Sequence, residues 1–151
     1  MNLAVILAAI GLGLMVGLSG AGSAIGLVIG GTSALGAIKK KPETFGSALV
    51  LSALPATQGL YGFVCFYLFS RFVSPEMAVF QGAMTLGAGI AMGLAALFSA
   101  IQQGKVCAAG ISAIGSGYDV FGNTFILAVF PEFYAILALV VSILITTLMG
   151  A

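Results

Sequence analysis

Four strongly apolar runs divide the chain, and each is long enough to cross a bilayer. They cover about Asn2 to Ile38, Phe45 to Ser70, Met77 to Ile114 and Phe121 to Met149, and only Lys105 and Glu132 place a charge inside them. A membrane-spanning helix needs about 20 mainly apolar residues. The first and third runs exceed that, so both are expected to project beyond the hydrocarbon on one side. The breaks are KKKPET (Lys39 to Thr44), RFVSPE (Arg71 to Glu76, with Pro75) and SGYDV (Ser116 to Val120). The pattern predicts an all-α membrane protein with four transmembrane helices.

Composition supports this. Hydrophobic residues make up 61% and charged residues 6%, against roughly 25% charged in soluble domains. Such a chain lacks the polar surface that water requires. A net charge of +1 with no basic patch argues against a nucleic-acid partner. The first run has no Lys or Arg before it, unlike a secretory signal, so it is expected to be a mature transmembrane helix. Cys65 and Cys107 lie in apolar segments and read as small buried hydrophobes. With no histidine in the chain, a Cys/His metal site is unsupported.

Positive loops stay cytoplasmic. Lys39, Lys40 and Lys41 therefore place the first loop inside, the second outside, the third inside, and both termini outside. Arg71, in the outer loop, opposes this weakly.

The chain also repeats. Shifted by 76 positions, Gly11, Gly13 and Gly17 fall on Gly87, Gly89 and Gly93. Ser23, Ala24 and Ile25 fall on Ser99, Ala100 and Ile101, Phe45 on Phe121, and Pro55 on Pro131. The halves, residues 1–74 and 75–151, read as two tandem helical hairpins in the same direction. Many secondary transporters use inverted repeats instead, and a lone transporter would also need a second coupling charge. The halves differ at one telling place: Glu132 falls on Ala56. A duplicated hairpin with one carboxylate suggests one ion per two hairpins.

A carboxylate at mid-bilayer depth costs about 3 kcal/mol and is by default functional. Glu132 must be protonated, bound to a cation, or paired. Oxygen donors fall at its level. Pro55 blocks the helical bond to the fourth residue back, and the Leu54 carbonyl is a candidate oxygen ligand freed nearby. Thr57 and Tyr61 share a helix face, and the repeat brings Thr57 and Gln58 level with Glu132. Gln102 and Gln103 lie in the third run. Hard cations select oxygen, and one carboxylate matches a monovalent ion, because a divalent ion would leave positive charge uncompensated. Alternatives stay open. Glu132 can be a neutral acid, Thr57, Gln58 and Gln103 can serve interhelical hydrogen bonding, and Lys105 can either snorkel or neutralise Glu132.

Gly22, Gly26 and Gly30 form a small-residue row of the kind that lets helices approach closely in lipid. The third run has Gly82, Gly87, Gly89 and Gly93, while Phe63, Phe66, Tyr67, Ile136 and Leu139 make runs two and four bulky. A ring with runs one and three inside is expected. Gly, Ala and Leu there argue against a polar pore, the passive-channel reading. Gly11, Gly13 and Gly17 have the wrong final spacing for a dinucleotide fingerprint.

LPATQGLYGF (Leu54 to Phe63), FSAIQQGKVCAAGI (Phe98 to Ile111) and PEFYAIL around Glu132 resemble the rotor-ring proteolipid, the K or c subunit, of V-type ATPases. The resemblance covers nearly the whole chain, and the duplicated hairpin with one carboxylate separates it from two-helix F-type proteolipids. It implies a closed ring of identical, non-catalytic subunits in a prokaryotic plasma membrane, turned by ATP hydrolysis on a cytoplasmic head. A stator membrane subunit supplies an arginine, and a central-stalk subunit meets the cytoplasmic loops. In sodium-type members the implied Na+ ligands are Glu132, Gln103, Gln58, Thr57 and the Leu54 carbonyl, with Tyr61 locking Glu132. H+ is the alternative cargo. Two departures stand out: Ala56 in place of a glycine, and PEF around Glu132 where VET is familiar. Pro131 puts the local geometry in question.

Overall fold

The computed structural model describes residues 2–150, and among these every regular element is helical. The elements are α1 (Leu3–Lys40), a 3-10 turn (Pro42–Thr44), α2 (Phe45–Ala53), a second 3-10 turn (Leu54–Ala56), α3 (Thr57–Ser70), α4 (Val79–Gly115) and α5 (Phe121–Met149). α2 and α3 together form one span, so four helical spans are long and apolar enough to cross a membrane.

Local chemistry sets the ends. The Asn2 side chain accepts the Ala4 N–H at 3.1 Å and caps α1. Lys39 and Lys40 fill the last turn of α1, where cations oppose the negative end of the helix dipole. Pro42 then opens the 3-10 turn at its first position, which needs no donor. Gly117, with φ of +100°, turns the chain between α4 and α5, a conformation that disfavours a Cβ.

The two prolines at repeat-related positions behave differently. Pro55 tightens Leu54–Ala56 into a 3-10 turn and divides the second span. Pro131 lies inside α5, which continues through it without interruption.

α1 and α4 pack backbone to backbone. A Cβ on Gly104 would lie 2.6 Å from the Gly26 carbonyl oxygen, and one on Gly89 would overlap the Gly11 backbone. Only glycine permits these approaches. α3 and α5 flank this pair. One apolar cluster gathers Met15, Cys65, Phe69, Met92 and Ala96. Another gathers Ala34, Leu51, Cys107, Ile111 and Ala128. Thr57, Gln58, Gln103 and Glu132 fall between these clusters along their spans. Many large apolar side chains, Val28, Leu35, Phe63, Phe98 and Phe130 among them, face outward. So large an apolar surface suits lipid rather than water, and the chain is an integral membrane protein.

Candidate functional site

Pro55 sets the site's first wall. In the 3-10 turn the Leu54 carbonyl accepts the Thr57 N–H, and the Thr57 hydroxyl stands 3.2 Å from the same oxygen. That hydroxyl has one hydrogen to give. Its shortest contact is Glu132 Oε1, at 2.7 Å. One turn on, the Tyr61 hydroxyl donates to Glu132 Oε1 at 2.8 Å. The i, i+4 spacing aims both hydroxyls at one carboxylate oxygen.

α4 supplies the second wall. Gln103 Nε2 donates to Glu132 Oε2 at 2.9 Å and to the Ala128 carbonyl at 3.0 Å. The second bond ties Gln103 to the backbone of α5 one turn before Glu132. Gln58 Nε2 donates to Gln103 Oε1 at 2.8 Å and to the Ser99 hydroxyl at 3.1 Å. Gln58 and Gln103 are fully buried, while Thr57, Tyr61 and Glu132 are half-buried. Among the described residues no buried side-chain nitrogen or oxygen lacks a partner.

The structure thus gathers Glu132, Gln103, Gln58, Thr57 and Tyr61 into one network, with the Leu54 carbonyl at its edge. Gln102 points elsewhere, into an open groove beside Phe98, Phe130 and Tyr134. Lys105 is exposed, and the three side chains bonded to Glu132 are Thr57, Tyr61 and Gln103. The pairing of Lys105 with Glu132 is therefore replaced by three neutral donors. Among the described residues no three His, Cys, Asp or Glu side chains cluster. The donor set is one carboxylate with hydroxyl, amide and carbonyl oxygens nearby, the chemistry a hard cation selects.

Sequence reasoning missed Ser99, Ser23 and the Ala128 carbonyl as parts of this network. The Ser23 hydroxyl accepts the Gly59 N–H at 2.8 Å, beside Gln58. The signal was available in the pairing of Ser23 with Ser99 by the repeat, both lying at the level of the carboxylate.

A family model for the C subunit of ATP synthases matches residues 3–69 and 86–145. The A-type ATP synthase subunit K of Methanocaldococcus jannaschii is 44% identical over 142 residues, covering 92% of this chain and 61% of that protein. The V-type sodium ATPase subunit K of Enterococcus hirae is 44% identical over 126 residues, covering 83% of this chain and 81% of that protein. The V-type proton ATPase 16 kDa proteolipid of Homo sapiens is 22% identical over 129 residues, covering 85% and 83% respectively. The chain thus spans less than two thirds of the Methanocaldococcus relative's length.

Proposed function

Because the chain belongs to the C-subunit family of ATP synthases, we propose that it is a rotor-ring subunit of a V-type ATPase that carries one Na+ at Glu132. The observation that carries this reading is the single carboxylate held by Thr57, Tyr61 and Gln103 between three spans. One bound Na+ cancels its charge. Glu132, Thr57, Gln58, Gln103 and the Leu54 carbonyl are the oxygen donors, and Tyr61 fixes the carboxylate's direction. The Enterococcus relative is named as a sodium ATPase subunit, which favours Na+. The human relative is named as part of a proton ATPase, so H+ is the competing cargo.

Neutrality decides the mechanism. A loaded Glu132 crosses lipid without an exposed charge, whereas an ionised, unpaired one does not. At the stator, an arginine of the partner subunit draws the carboxylate out, breaks its three bonds and releases the ion. Moving one charge through 100 mV costs about 2.3 kcal/mol, and one site per four helices concentrates the work of ATP on few ions. The cytoplasmic side carries loop 39–44 and loop 116–120, which meet the central stalk. The membrane is a prokaryotic plasma membrane.

Ring closure follows from the repeat. One open groove includes Phe98, Gln102, Pro131 and Tyr134. Shifted by 76 positions these become Gly22, Gly26, Pro55 and Gln58, all buried within the chain. The other groove includes Val28, Leu35 and Ser52. These become Gly104, Ile111 and Ala128, also buried. Each groove is the image of one side of the internal seam, so a second copy fills each of them. Gly13 and Gly87, open in the single chain, become the close approach between copies, as Gly89 and Gly11 are within one.

ATP-driven uptake of radioactive sodium into inverted vesicles tests the function. Uptake that survives a protonophore and vanishes in Glu132→Gln supports the reading. Uptake abolished by the protonophore, or unchanged in Glu132→Gln, overturns it.

A further inference from the structure

We infer that Ser99, together with its repeat mate Ser23, is a positioning residue that sets sodium affinity by holding the Gln58 amide oxygen toward Glu132. The inference rests on the sodium reading above and concerns a residue outside the ligand set.

Gln58 has two amide hydrogens, and both are committed: one to Gln103 Oε1 at 2.8 Å, the other to the Ser99 hydroxyl at 3.1 Å. Turning the amide over would set Gln58 Oε1 against Gln103 Oε1, two acceptors without a hydrogen between them. Gln58 Oε1 therefore faces the other way, 3.3 Å from the Thr57 hydroxyl. That hydroxyl is itself 2.7 Å from Glu132 Oε1. The amide oxygen is thereby presented on the side where a cation shared by Thr57 and Glu132 would sit.

Ser99 touches neither Thr57 nor Glu132 by any hydrogen bond in the network; it acts through Gln58. Ser23 holds the same segment from the other inner helix, by accepting the Gly59 N–H at 2.8 Å. One serine fixes the side chain of Gln58 and the other the backbone directly after it. Duplication placed the two serines at equal depth, and the asymmetry of the halves gave them different tasks. Gln58 is fully buried, so an amide hydrogen deprived of Ser99 is left unsatisfied, and the amide is held by Gln103 alone and less firmly.

The test uses assembled rings purified from wild type, Ser99→Ala, Ser99→Thr and Ser23→Ala. Equilibrium binding of radioactive sodium reads the ion. The pH midpoint of carbodiimide labelling of Glu132 without sodium reads the proton. Loss of one such hydrogen bond weakens sodium binding by roughly fivefold in Ser99→Ala and in Ser23→Ala. Ser99→Thr, which keeps the hydroxyl, restores it, and the pH midpoint does not move. Sodium binding in Ser99→Ala equal to wild type overturns the inference. So does a pH midpoint that moves as far as sodium affinity, which marks a general packing defect. A wild-type ring with no sodium binding sinks the sodium reading itself, a result distinct from either of these.

Discussion

Gly104→Ala should separate α1 from α4 beside the site. A Cβ at residue 104 would stand 2.6 Å from the Gly26 carbonyl oxygen and 2.7 Å from its Cα, where ordinary contact begins at 3.4 Å. Both obstacles are backbone atoms in the middle of a helix, so no side-chain rotation relieves them. The helices must part by about 0.8 Å, the shortfall to ordinary contact, and overpacking of this kind costs about 1–3 kcal/mol. Gln103 is the adjacent residue. A shift of α4 moves Gln103, whose 2.9 Å bond to Glu132 has little slack before the roughly 3.2 Å limit of a good N–H···O bond. Gly46→Ala is the control: a Cβ there meets nothing within 4 Å, and the same holds at its repeat mate Gly122. Thermal dissociation of the purified ring, with sodium binding measured alongside, reads both effects. The expected result is a less stable ring with weakened sodium binding for Gly104→Ala and neither change for Gly46→Ala. A Gly104→Ala ring with the stability and sodium affinity of wild type would refute the close approach and its coupling to the site.

Tyr61→Phe removes the 2.8 Å bond to Glu132; hydrogen bonds to a charged group are worth about 1.5–3 kcal/mol, so sodium binding should weaken at least tenfold in an equilibrium assay. Thr57→Val removes both a donor to Glu132 and a proposed ligand, and should weaken binding further than Tyr61→Phe. Lys105→Gln should leave sodium binding unchanged, because Lys105 is exposed and absent from the carboxylate's bonds. Gly87→Ala meets nothing within the chain, so the chain should insert normally while ring assembly, seen by native electrophoresis, fails.

Hydropathy alone located the four spans, because lipid allows few structures other than a helix to satisfy its own backbone. It could not show that Pro55 divides one span while Pro131 leaves its own continuous, since the two prolines occupy matched positions and differ only in their surroundings. The site was legible where chemistry was unusual: a carboxylate in an apolar run, and hydroxyl and amide side chains at its depth. Adjacent Gln102 and Gln103 were not separable by composition. Helix phase separates them, turning Gln103 into the core and Gln102 into an open groove. Ser99 escaped notice because a serine in a transmembrane helix is ordinary. Its role depends on which way the amide of Gln58 points, and that is fixed only once three helices are together.

Carbodiimide labelling of Glu132 in the wild-type ring tests the central claim most directly, because the reagent modifies the protonated acid and a bound cation blocks it. Across a pH series, sodium should slow the labelling and potassium at the same concentration should not. Labelling that follows pH but ignores sodium would contradict the claim, and would make the proton the ion that Glu132 carries.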